Sequence, residues 1–228
     1  MKRFWTEVAV DAGGVVLLDG RPVRTPGRVP LALPTGPLAQ AVADEWRGVG
    51  DTLDPRAMPL TGLANAAIDR VAPDPAAFAA GLARYADSDL LYYRAASPAP
   101  LAERQAAAWD LLLDWAMARY DVHFERVAGV MHRPQPPATL ARLGEAVAAV
   151  APFRLAPLSP IVTITGSLVA ALALVEGAAN ADTVWDAAHL DEDWQAELWG
   201  SDAEAVAARA GRRREYDAAV RFLAAASG

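Results

Sequence analysis

Apolar and polar residues alternate from Phe4 to Val10, which predicts a strand. Gly13–Gly14 marks a turn, and Val15 to Leu18 forms a second short apolar run leading into Asp19–Gly20. Asp-Gly between two such runs is the strongest local hairpin signal, because both turn positions need positive φ. Arg21 to Thr25 is the expected returning strand, Pro26–Gly27 closes it, and Val29 to Leu33 supplies another. A few short strands covered on one face predict a small antiparallel sheet or open barrel.

After Thr35 the period changes from two to 3.6. Thr35 stands as a cap before Leu38, Val42 and Trp46, which are four apart. Further helices are predicted over 60–71, 74–87, 101–120, 137–150 and 159–175, the last with Ser159 as cap and Pro160 in its first turn. The proline-bearing link "DTLDPRAMP" is the expected boundary. The predicted fold is therefore α+β, with a β-rich N-terminal domain over residues 1–57 and a larger all-helical domain over 58–228.

Composition narrows the function. With 228 residues, a substantial core can be buried. The absence of cysteine removes disulfides, zinc–thiolate sites and thiol nucleophiles together. Net charge of −7 argues against a nucleic-acid backbone as partner. Lys2 is the only lysine, so neither a Walker lysine nor an interior Schiff base is available. The uncharged stretch Leu155 to Val175 is as long as a membrane span. Its prolines and its Thr163, Thr165, Gly166 and Ser167 predict a buried helix instead, with no membrane insertion. "MKRFWTEVAV" has no apolar signal core, so no export is expected.

The most suggestive stretch is "DEDWQAELWGSDAEA", residues 191–205, with six carboxylates, two tryptophans and no base. If 182–199 is one helix, Val184, Ala187, Leu190, Trp194 and Leu198 form one stripe. Trp185, His189, Glu192, Ala196 and Trp199 form a second on the opposite side, with Asp186, Asp193 and Glu197 between them as an acidic seam. Ser201-x-x-Glu204 has the form of a capping box, which gives Glu204 a structural role. The arginines in "GRRRE" are expected to neutralise the seam. Asp193 and Glu197, one turn apart, leave open a carboxylate-based hydrolase. Tyr92 and Tyr93 leave open a small-ligand shelf. His189 with Asp193 has ligand spacing but lacks the remaining donors of a zincin helix, so no metal is expected.

"RFW", "LDGRPVRTP", "LALPTGPLAQAVADEW", "MPLTGLANAAID", "YADSDLLYYRA", "QAAAWDLLLDWA" and "LWGSDAEA" occur here in that order. Together they resemble the ATP synthase assembly chaperones that handle the alpha subunit of the soluble catalytic head, from Arg3 to about Phe222. The resemblance implies a β-rich domain followed by a helical one, no catalysis and no cofactor. It implies binding to the unassembled alpha subunit by a monomer in the bacterial cytoplasm, or in the mitochondrial matrix for eukaryotic relatives. It ties function to an acidic residue near the Trp-Gly block, best matched by Glu204, with Asp202 and Glu197 close by. Trp199, Asp193 and Glu192 complete the expected partner-binding set. Tyr92, Leu111, Gly62 and Leu198 depart from the family's usual pattern.

Overall fold

The computed structural model describes residues 2–227. Three short strands, β1 (Val8–Val10), β2 (Val16–Leu18) and β3 (Arg21–Pro22), form an antiparallel sheet in the order β1-β2-β3. The turn from β2 to β3 has Asp19 at φ 47 and Gly20 at φ 75, as an Asp-Gly hairpin requires. The Asp19 carboxylate accepts from Glu7 N at 2.8 Å and Thr6 N at 3.0 Å, and these amides hold it below the ordinary carboxylate range. β3 is shorter than expected because proline at position 22 brings no N–H to the ladder. Isolated bridges Val15↔Ala32 and Arg24↔Pro30 continue the pairing, and the sheet stays open.

Helix α1 (Gly36–Arg47) begins where expected, with Thr35 Oγ1 accepting from Leu38 N. It buries Leu38, Val42 and Trp46. Its Glu45 accepts from Leu60 N at 2.8 Å and Thr61 N at 2.7 Å, satisfying free amides at the start of α2 (Pro59–Ala66). The chain continues into one π-helical segment, Ala67–Val71. Asp69 in that segment accepts from Thr25 Oγ1 at 2.6 Å and Gly27 N at 2.8 Å. A Cβ at Gly27 would lie 2.6 Å from the Asp69 carboxylate, so a side chain there would have to displace that carboxylate from its bonds.

The chain groups into two compact units. The first comprises residues through Phe78, Ala151–Leu158 and the chain from Glu215 onward. Trp5, Leu31, Leu38, Val42, Trp46 and Phe222 meet in its core. Thr35 Oγ1 also donates to Ala225 O at 2.6 Å, tying the C-terminal residues to the start of α1.

The second unit comprises Ala79–Val150 and Ser159–Arg214. Later helices are α3 (Pro75–Ala83), α4 (Ala99–Tyr120), α5 (Pro137–Ala148), α6 (Pro152–Thr165), α7 (Leu168–Val175), α8 (Ala181–Trp199) and α9 (Ala203–Ala225). A two-residue parallel ladder joins β4 (Tyr93–Arg94) to β5 (Val127–Ala128). α4 packs on both α7 and α8, with Trp109 Nε1 donating to Ala187 O at 2.7 Å.

The helix expected over 159–175 is two helices. α6 starts at Pro152 and runs through Pro157 and Pro160, each forgoing one helix bond. Gly166 at φ 66 then breaks the path, and Ser167 caps α7 by accepting from Ala170 N at 2.9 Å. Ser159 is therefore interior to a helix and not a cap. Among the described residues, no helix is long and apolar enough to cross a membrane.

Candidate partner-docking surface

α8 is buried on both sides in its first half and open in its second. Val184, Trp185, Ala187 and His189 are all buried, so both expected stripes are covered up to His189. Beyond that point Leu198 is 54% and Trp199 77% exposed. His189 stacks on Trp185 with ring centroids 3.7 Å apart, and its Nδ1–H donates to Trp185 O at 2.9 Å. Burial pushes the His189 imidazole below its ordinary value, assisted by the charges of Arg209 and Arg212. An imidazole held this way is a neutral core group.

The acids of α8 are distributed among separate partners. Arg209 clamps Asp193 through both guanidinium nitrogens. Arg212 reaches Glu192 at 2.8 Å, and Arg213 reaches Asp182 at 2.6 Å. The Arg209 and Arg213 guanidinium groups also lie 5.9 and 5.2 Å from the Trp185 ring centre. Arg212 and Arg213 of "GRRRE" thus fasten α9 to α8 through Glu192 and Asp182, whereas Asp193 of the seam is held by Arg209, outside that cluster. Glu197 turns away to Arg104 of α4 at 2.8 Å, while the same guanidinium covers the Trp194 face at 4.7 Å.

This arrangement separates the proposed hydrolase pair. Asp193 and Glu197 each hold a different arginine, and neither lines the groove at this end of α8. Two carboxylates each bonded to its own arginine do not form the facing pair that acid–base work requires. The tyrosine shelf is also structural. Tyr92 is buried and stacks on Phe124 at 5.2 Å, and burial raises its phenol above the ordinary range. Tyr93 is hydrogen-bonded to His132 at 3.0 Å. Asp89 beside them is fully buried, accepting from Leu91 N at 3.0 Å and from Val169 N at 2.9 Å in the first turn of α7. Burial raises Asp89 to about 6, against the opposing pull of those amides.

The helix α9 starts differently from the capping-box expectation. Asp202, rather than Ser201, is the cap, and its Oδ1 accepts from Ala205 N at 2.7 Å. Either residue type suits the position, and the path of the chain after Gly200 at φ 78 puts the aspartate there. Glu204 sits in the first turn, exposed and, among the described residues, without an ion pair.

Between the end of α8 and the start of α9 lies an open groove of about 220 Å³. Glu192, Ala196 and Trp199 line it from α8, and Asp202, Val206 and Arg209 from the α9 side. Of the six expected site residues, the fold brings Glu192, Trp199 and Asp202 to this groove. Asp193 and Glu197 do not line it. Glu204 is two residues from Val206, roughly 160° away around α9, so it faces the opposite side. Sequence reasoning missed Val206, which is 55% exposed; a lone valine in an alanine-rich helix gives no signal by itself.

The open end of α8 and the start of α9 present exposed aromatic and acidic side chains, a combination that suits contact with another protein. A family model for the ATP12 chaperone protein matches residues 2–117. The chain is similar to Atp12 from Paracoccus denitrificans, with 44% identity, 99% of this chain and 98% of that chain covered, and a TM-score of 0.91. A variant of the P. denitrificans protein in which a lysine replaces one aspartate matches at 43% identity, over 99% and 97% of the two chains, with the same TM-score. The Atu1473 protein of Agrobacterium tumefaciens matches at 41% identity, over 98% of this chain and 85% of that one, again at 0.91. The chain belongs to the ATP12 chaperone family. It acts as a chaperone in ATP synthase assembly and is not an enzyme.

Proposed function

We propose that the protein holds the unassembled alpha subunit of ATP synthase as a monomer in the cytoplasm, using no cofactor. It docks through the end of α8 and the start of α9. The observation that carries this reading is Trp199, 77% exposed at the open end of α8, beside the carboxylate of Asp202, which no arginine among the described residues neutralises. Exposed aromatic area supplies contact, and uncompensated negative charge supplies orientation and on-rate. In this reading Asp202 and Trp199 meet the partner in the groove, and Glu204 meets it from the outer face of the first turn of α9. Glu192, Asp193 and Glu197 hold the surface in shape through Arg212, Arg209 and Arg104.

An unassembled subunit exposes apolar surface that favours aggregation, and a holder must cover it while remaining displaceable. An open groove on the rim of a rigid helix pair suits such weak contact. The test is capture of isolated alpha subunit compared with the assembled catalytic head. Selective capture of the isolated subunit, weakened by Glu204→Lys, is the expected result. Equal capture of both, or of neither, refutes the reading.

A further inference from the structure

The groove between α8 and α9 has a chemistry more specific than a generally acidic face. Its apolar lining comes from Ala196, Ala205, Val206 and the exposed Trp199. Its charged groups differ in what already pairs with them. At one end Arg209 already grips Asp193 with both guanidinium nitrogens. At the other, Asp202 uses Oδ1 to cap α9 and has no basic neighbour bonded to it. Glu192, the remaining acid of the lining, is bonded to Arg212 at 2.8 Å. Asp202 is thus the acid in the groove whose charge is not compensated from within the described residues.

We propose that this groove receives one apolar side chain of the partner, with a neighbouring arginine or lysine pairing with Asp202. The proposal rests on the docking reading above and specifies the chemistry of the segment that docks. Charge selects this occupant. A second copy of the chain would bring the same anionic face against itself, in a molecule of net charge −7. An acidic segment would meet Asp202 unscreened. Arg209 is already bonded to Asp193 and Glu192 to Arg212, so neither offers an open ion pair, and the cation pairs with Asp202 at the α9 start.

The test uses the full-length chain, the isolated alpha subunit and short overlapping peptides spanning that subunit. Two variants leave the fold in place. Val206→Arg adds a cation to the apolar lining at an exposed site, and Asp202→Asn removes the charge while keeping a side chain that caps well. We expect the bound peptides to share an apolar residue next to Arg or Lys. Each variant should weaken their binding, and that of the whole subunit, by about tenfold. Loss with the whole subunit alone, and no peptide bound, still supports the groove and puts the anchor on folded surface.

If both variants capture the alpha subunit as well as the natural chain does, the groove is refuted and the docking reading stands. If cationic–apolar peptides bind through the groove but the subunit is not captured, the docking reading falls and the groove stands. If neither probe binds, both fall.

Discussion

The two halves of α8 both carry tryptophan and carboxylates, and they have opposite uses. The first half contributes Trp185, 4% exposed, sandwiched between His189 and the guanidinium groups of Arg209 and Arg213. The second ends in Trp199, 77% exposed, with no ring stacked on it among the described residues. Both halves carry carboxylates. The difference lies in what surrounds them, because α4 and α7 pack along α8, while at its C-terminal end the helix has an open face. An aromatic residue supplies stability where neighbours cover it, and binding area where they do not.

Removing the covered ring should have the largest effect. Trp185→Ala is expected to destabilise the fold by about 3–5 kcal/mol, read from denaturant midpoints, because it opens a cavity and frees two arginines. A loss comparable to that of Trp199→Ala would break the comparison.

The same contrast holds for acids. Asp89 is buried and raised to about 6, against about 3.9 in an unfolded chain. The folded state therefore binds this proton more tightly. The associated stability is fully present below about pH 4 and is lost as pH rises through about 6, a fall on the order of 3 kcal/mol. Unfolding measured across that window should show the slope, and Asp89→Asn should flatten it.

Glu204 lies at the open extreme. Glu204→Lys should weaken capture of the alpha subunit about tenfold, ~1.4 kcal/mol, with a smaller change in unfolding free energy. Equal losses in binding and stability would reassign Glu204 to a structural role. Asp202→Ala removes the α9 cap and should cost ~1 kcal/mol, whereas Asp202→Asn should cost a few tenths at most. Trp199→Ala should sit last, within ~0.5 kcal/mol of the natural chain in stability while lowering capture.

Much of this was legible locally. The Asp19–Gly20 hairpin and the Thr35 cap each depend on residues a few positions apart, and both formed where the pattern placed them. The helix bearing two aromatic stripes and an acidic seam was readable from 3.6-residue spacing, and the role of the nearby arginines from charge. The site residues were harder. Helical phase places Glu192, Ala196 and Trp199 on one face, but the groove exists only because α9 returns against it.

The sequence by itself determined the α+β class, the hairpin sheet and most helices. Each follows from steric preference, periodicity or charge within one or two turns of chain. Tertiary structure decided which half of α8 is covered, and that Glu197 belongs to Arg104, 93 positions away. It also made Asp202 rather than Ser201 the cap, and brought Phe222 into a core with Trp5 and Trp46. Those outcomes depend on which distant segments exclude water from a given face, and local pattern carries no record of that distance.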